Sequence, residues 1–450
     1  MLVLPKAAEP LFGRFSVAFT RPTFERFVLL AVGAILAMGR RTTTAVCWTV
    51  RALLDGHLSD YHRVFPRAPW RPAALARVLA AAVLELVPTG ARVVLSVDDT
   101  TARHKGDHVY GKGCHRDAVL STHSHTVWKW GHKWVVLAVN VKLPFCRRAW
   151  AMPVMACLYK PVALDEAEGR THRTPVDLTK AMVSQLLRWF PARQFVLLGD
   201  GGYASHELAR FAQRRRKRLA LVSLFHADAN LFEPPPARRR AGVGRPRLKG
   251  DKAPTPGAVV AKARPRRTTV GWYGGGDRRI SCVSAAGHWY KGGGGLVDLR
   301  WVFVRDVQGT HRDQYFYSTD PSLTPEQIVT LYTARWSIEV TFQEVREHLG
   351  FETTKQWCRR SVTRAGPCLL GLYSLVTLVY AELARRRGGP AIHATPGYAK
   401  AEPTFSDALF AVRRVLWAET ILKRAPVAAV VPKLPGRFTG FLLDQLAATG

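Results

Sequence analysis

Apolar residues recur at helical spacing over residues 24–38, 45–54 and 73–86, with short turns between them, so residues 1–88 read as a helical region. Between the first two stretches and on to His62 and Arg63, short helices carry Arg40, Thr42, Thr43 and Thr44 in the manner of a helix-turn-helix. A plain helical bundle fits the same pattern, because that motif has no strict sequence signature. The texture changes at Ala91. Residues 92–97 form an apolar run that ends at Asp98 and Asp99, and residues 133–143 and 149–159 are rich in strand-forming side chains. Leu178, Met182, Leu186 and Leu187 share one side of a predicted helix that leads into a buried strand over 194–198, closed by Gly199, Asp200, Gly201 and Gly202. A helix over 205–214 and a strand over 219–224 come next. Strands first, then helix and strand in alternation, predict an α/β fold with a mixed sheet covered by helices.

The pattern breaks between residues 233 and 267, where Pro234, Pro235 and Pro236 precede Arg238, Arg239 and Arg240. Such a stretch holds too little apolar surface to fold alone. Inside it, Gly244, Arg245, Pro246 and Arg247 resemble the core of an AT-hook, whose arginines enter the minor groove of A·T-rich DNA; a solvated basic loop touching phosphates is the other reading. Strand-like segments at 268–273, 279–284, 299–305 and 314–318 predict an antiparallel insertion. Helical patterns return after Thr363, up to about Arg387 and again over 405–422. The expected organisation is a helical DNA-binding region (1–88), a first catalytic part (89–225), a β-rich insertion with the basic loop (226–320), a second catalytic part (321–363) and a helical C-terminal region (364–450).

Composition narrows the class of partner. Lys and Arg number 66 against 33 Asp and Glu, a formal charge of +33 spread along the chain, which suits a polyanion. The apolar runs at 27–38 and 368–381 fall short of the roughly 20 residues that span a bilayer, so both are expected to be buried helices and no membrane partner is expected. Without a cleavable leader pattern at the N-terminus, a cytoplasmic, nucleoid-associated location is expected. Seven cysteines, an odd number with no C-x-x-C pair, argue against a zinc ribbon and against a disulfide framework. Cys114, His115, His123 and His125, with His104 and His108 before them, match no standard zinc spacing and read as polar side chains along a strand and its approach.

Thr324, Pro325 and Glu326 are a helix start, with Thr as N-cap and Pro in the first turn, and a long helix is predicted beyond them. On that helix Tyr332, Arg335, Glu339, Gln343 and Arg346 share an arc of roughly 80°. Ile338, Phe342, Val345 and Leu349 form the adjacent apolar stripe that would dock it on the sheet. A carboxylate flanked by arginines suits a site that holds a metal ion and a phosphate together; an ordinary surface ladder of ion pairs has the same spacing.

Tyr332, Arg335, Glu339 and Arg346, spaced as they are, resemble the Y-R-E-K signature of DDE transposases from bacterial insertion sequences, with Arg in place of the usual Lys. Trp336 after the arginine adds to the likeness. Val97, Asp98, Asp99, Thr100 and Thr101 resemble the first catalytic block, and Leu198 through Tyr203 the second. The resemblance implies an RNase H-like fold with a mostly β insertion before the glutamate, and a catalytic, metal-binding triad of Asp99, Asp200 and Glu339. The two aspartates of the doublet must point to opposite faces of a strand. The residues alone leave the choice open; the family pattern, with the ligand next to Thr, favours Asp99 and gives Asp98 a supporting or capping role.

The same resemblance implies two Mg²⁺ ions, replaceable by Mn²⁺, and double-stranded DNA as partner, as transposon ends and as target, held by a dimer. Tyr332, Arg335, Trp336 and Arg346 would then touch DNA near the scissile phosphate, with Arg245 and Arg247 of the basic loop adding contacts. Trp301 or Trp336 is a candidate to stack on an unpaired base. Two alternatives stay open. Another RNase H-like nuclease would share the carboxylates without the arginine stripe or the insertion, and a transposase-derived DNA-binding protein would bind without cutting.

Overall fold

The computed structural model describes residues 4–117, 120–122, 124–236, 247–393, 400–423 and 434–448. Gly244, Arg245 and Pro246 of the AT-hook-like stretch and His123 lie outside the described residues; Arg247 lies within them and is exposed.

Helices α1 (Glu9–Gly13), α2 (Arg21–Leu36), α3 (Thr43–Thr49), α4 (Leu58–Arg63) and α5 (Pro72–Leu84) build the N-terminal region. They are not a separate bundle. Val28, Val32 and Ile35 of α2 and Leu79, Ala80 and Val83 of α5 bury their side chains in the same core as Leu95, Met182 and Tyr373. That region therefore folds onto the rest of the chain.

One mixed sheet, of eleven strands among the described residues, dominates the middle of the chain. β1 (Val93–Arg103), β3 (Trp128–Val141), β4 (Trp150–Tyr159), β5 (Phe195–Gly199) and β6 (Leu219–Phe225) lie in the order β4-β3-β1-β5-β6, and β2 (Gly113–Arg116) pairs with the first residues of β3. β1 runs antiparallel to β3 and parallel to β5, and β5 is parallel to β6. This is the mixed order expected of an RNase H-like core. Between β4 and β6 come α6 (Val162–Ala167), α7 (Pro175–Trp189) and α8 (His206–Gln213). α7 starts with a capping box, in which Thr174 Oγ1 accepts from the Asp177 backbone N–H and Asp177 Oδ2 accepts from that of Thr174.

Alternation along the strands sends side chains to two different cores. Leu197 and Leu221 pack with Leu208 and Ala212 of α8, whereas Val196, Leu198 and Val222 pack with Ile328 and Val329. The latter pair belongs to α10 (Pro325–Ala334), so α8 and α10 cover opposite faces.

The insertion carries β7 (Leu231–Phe232), α9 (Pro256–Lys262), β8 (Arg266–Gly271), β9 (Asp277–Lys291), β10 (Gly295–Asp306) and β11 (Gln314–Ser318). It is antiparallel, as the pattern predicts, but it is no independent module. β11 pairs with β6 from Tyr315–Phe225 to Ser318–Val222, which continues the catalytic sheet outward through β10, β9 and β7. Trp301, a candidate for base stacking, is 1% exposed in this core and is excluded from that role.

Two further expectations are corrected. β1 does not end at the aspartate doublet; it stays paired with β3 as far as Arg103. The predicted long helix after Thr324 is two helices, α10 and α11 (Ser337–Leu349). Thr324 is the N-cap as expected, and Gln327 completes a capping box. At the join, Arg335 and Trp336 keep helical dihedrals, but Trp336 N–H donates to Thr333 O and Ile338 N–H to Arg335 O, the tighter i to i+3 pattern. The reason is Asn140 of β3. Its Nδ2 donates to Ala334 O at 3.0 Å, occupying the carbonyl that Ile338 N–H would reach in a continuous helix.

The C-terminal region holds α12 (Arg359–Arg387), α13 (Phe405–Leu416) and α14 (Gly436–Ala447). α12 has the length and hydropathy of a membrane span, yet most of its apolar window is buried, with Tyr373, Val376 and Tyr380 in the protein core.

Candidate active site

The carboxylates come from the middle of β1, from the turn after β5 and from the first turn of α11. On β1, Val97 faces the α8 side, so Asp98 points to the side of α10 and α11 and Asp99 away from it. The contacts agree. Arg335 Nη1 donates to Asp98 Oδ2 at 3.1 Å and Nη2 to Glu339 Oε1 at 2.7 Å, so one guanidinium bridges strand β1 and helix α11. Asp99 instead pairs with Lys133 Nζ at 2.7 Å and lies 3.5 Å from the Tyr203 hydroxyl. Of the doublet it is Asp98, and not Asp99, that the structure joins to Arg335 and Glu339.

Asp200 follows β5, the parallel neighbour of β1, and its Oδ1 accepts from the Gly202 backbone N–H at 2.9 Å. Gly199 must be small here, because a Cβ would stand 2.7 Å from Tyr203 Cβ. The Ser223 hydroxyl pins the turn by donating to the carbonyls of Gly199 and Asp200. Tyr203 is buried below this turn, with its hydroxyl towards Asp99. Burial, then Asp99, Asp98 and Asp200, hold its hydroxyl well above the ordinary range.

Electrostatics single out Asp98. Burial pushes its carboxyl up to about 7; Arg335 opposes the rise, and Asp200 and Asp99 add to it. Burial alone would lower Arg335, but Asp98 and Glu339 outweigh it and hold the guanidinium above its ordinary value. One arginine thus serves two carboxylates, and the more buried of them is under-compensated. Among the described residues, no three His, Cys, Asp or Glu side chains stand close enough to cage a metal ion as they are. In the Cys114 and His115 stretch, Cys114 is exposed, while His115 is buried against Tyr159 on the other face of β2.

The rest of the arginine stripe divides. The apolar stripe of Ile338, Phe342, Val345 and Leu349 is buried as predicted. Arg346 donates to the Thr100 hydroxyl and approaches Glu352 at 3.7 Å, two positions along β1 from Asp98 and on the same face. Tyr332 is 4% exposed, its ring packed against Phe316, and burial pushes its hydroxyl up to about 12. Its ring is therefore a core element, not a surface for DNA. Trp336 is 46% exposed and meets the edge of Tyr273 at 6.0 Å. Tyr273 stacks on His311, and Trp272 packs edge-on against both. This aromatic group comes from the insertion and went unseen in the sequence, where the two segments lie far apart.

A family model described as DDE superfamily endonuclease matches residues 14–279, more than half of the chain. The chain belongs to the DDE superfamily of endonucleases. A second model, the archaeal putative transposase ISC1217, matches residues 297–383, the part that holds Arg335 and Glu339. The two matches together give the chain a DNA transposase function of the DDE class. A piggyBac transposase synaptic complex with hairpin DNA is similar over 98% of this chain and 81% of that one, at 12% identity and a TM-score of 0.41. No curated protein matches the chain.

Proposed function

We propose that this DDE endonuclease cuts DNA at transposon ends and joins the freed ends to target DNA, with Asp98, Asp200 and Glu339 as its catalytic, metal-binding carboxylates. The observation that carries the assignment is the Arg335 guanidinium, which ties Asp98 to Glu339 beside the end of β5. The donor set suits a hard divalent cation, Mg²⁺ or Mn²⁺, which prefers carboxylate oxygens. Asp98, raised to about 7, is the group such a cation would bring back to its charged form. When bound, a pair of divalent cations activates the attacking water and stabilises the leaving 3′ oxygen.

In the first step, water adds to phosphorus, the P–O3′ bond breaks, and a free 3′-OH and a 5′ phosphate result. In the second, that 3′-OH attacks a target phosphorus and displaces another 3′ oxygen. Neither step needs a covalent link to the protein. Arg335 holds Asp98 and Glu339 together, and Arg346 offers positive charge to the DNA backbone next to them. Trp336 with Tyr273 offers an aromatic edge to a nucleotide near the cut. Asp99 orders the other face through Lys133 and Tyr203. The helical region 1–88 and the basic loop around Arg247 add salt-dependent contacts to duplex DNA, and pairing two ends calls for two copies of the chain.

The test is Mg²⁺- or Mn²⁺-dependent cleavage of DNA carrying the flanking ends, with Asp98→Ala, Asp99→Ala, Asp200→Ala and Glu339→Ala beside the wild type. Loss of cutting with binding retained is expected for Asp98, Asp200 and Glu339, whereas Asp99→Ala should keep measurable activity. The reverse order for the two neighbours would return the ligand to Asp99.

A further inference from the structure

The far end of β3 leaves the core. Trp128 is 62% and Trp130 59% exposed, although tryptophan is among the costliest side chains to leave in water. Across the β2–β3 hairpin, Arg116 stands opposite Trp128 and Cys114 opposite Trp130, so these four side chains share one face. Lys112 lies over the Trp130 ring at 5.4 Å. Lys129, on the other face, pairs with Asp117, and Asp107 is an exposed partner of Lys112. Arg116 itself is exposed.

The same side of β3 leads back to the candidate active site, with Trp134 and His132 buried in between. Asp98 is the register partner of Val136, and Val136, Trp134, His132, Trp130 and Trp128 alternate along one side of β3. At strand rise, the two exposed tryptophans stand roughly 20–27 Å from the level of Asp98. Side chains two residues apart on a strand are separated by about 7 Å. Stacked bases in a duplex are about 3.4 Å apart, so neighbouring bases reach both rings only from a strand that is unpaired and stretched.

We propose that the β2–β3 hairpin is a docking face for an unpaired DNA strand leaving the candidate active site, with Trp128 and Trp130 stacking on bases and Arg116 meeting a phosphate. The inference rests on the DNA-cutting reading for the origin of that strand. The occupant is argued from the chemistry of the face: two exposed aromatic planes beside the exposed Arg116, on a chain of formal charge +33.

The test uses the full chain, a labelled oligothymidylate, a forked duplex with one single-stranded arm, and a blunt duplex. Trp128→Ala/Trp130→Ala should weaken binding of the oligothymidylate and the fork at least about tenfold, and of the blunt duplex less than about threefold. Trp128→Phe/Trp130→Phe should restore most of it, and thermal unfolding should be unchanged because both rings are exposed. Unchanged single-strand binding would overturn the proposal, as would equal losses on all three DNAs, which mark a non-selective phosphate patch. Loss of self-association instead would make the hairpin an interface between copies. Cleavage by the wild type is measured in parallel, so an inactive enzyme counts against the DNA-cutting reading while the binding arms still report on the hairpin.

Discussion

Arg335 Nη1 stands 3.1 Å from Asp98 Oδ2, which ties the break between α10 and α11 to the middle of the central strand. Both side chains are nearly buried, so the pair cannot be opened cheaply. Arg335→Ala should destabilise the fold by about 3 kcal/mol in urea unfolding. Arg335→Lys keeps the charge but cannot bridge Asp98 and Glu339 at once. It should recover part of the stability and little of the cleavage; a fully active lysine variant would show that charge alone suffices.

Asn140 controls where that arginine sits. Its Nδ2 holds Ala334 O, and removal leaves a buried carbonyl without its donor or lets the two helices merge. Asn140→Ala should cost about 1–2 kcal/mol of stability and lower cleavage more than DNA binding. Equal losses in the two assays would make the residue merely structural.

Arg346 tests the phosphate contact. Arg346→Ala should weaken binding uniformly across DNA sequences and reduce the salt slope of affinity by about one. Arg346→Lys loses the bond to Thr100 but should keep that slope. An alanine variant with the wild-type slope would remove Arg346 from the DNA interface.

A pH effect on stability should come from His132, which is buried with its Nε2–H donating to Tyr110 O at 2.8 Å and the His104 ring 4.2 Å away. Burial lowers it to about 4, from an ordinary value of 6.5. The unfolded chain thus takes up the proton first, and stability falls as pH drops from 6.5 towards 4. The loss should reach about 2 kcal/mol at pH 5. His132→Asn should flatten this part of the stability curve between pH 7 and 5, measured by urea unfolding; an unchanged curve would assign the effect elsewhere.

The hydropathy pattern showed the strands, the buried stripe of α11 and the position of Asp200 because each rests on local periodicity and turn chemistry. Which of Asp98 and Asp99 faces Arg335 was not a local matter. Alternation says that they part, but which face carries Glu339 depends on where α11 docks, set by Val345 and Leu349 against a distant sheet. The helix break was hidden for a similar reason: Ala334, Arg335, Trp336 and Ser337 contain no glycine or proline, and the side chain responsible, Asn140, lies in another strand. The union of Trp272, Tyr273 and His311 with Trp336 needed the insertion to be laid along β6, a pairing between segments far apart in sequence.

That pairing fixes how the molecule can be cut down. β6 has β5 on one side and β11 on the other, so removing residues 226–320 would not trim a loop from a finished enzyme. It would bare the N–H and C=O groups of an apolar strand, Leu219–Phe225, to any chain with a free edge of its own. A minimal version of this protein would be an aggregating one, and the insertion acts as the edge guard of the sheet that bears the aspartates.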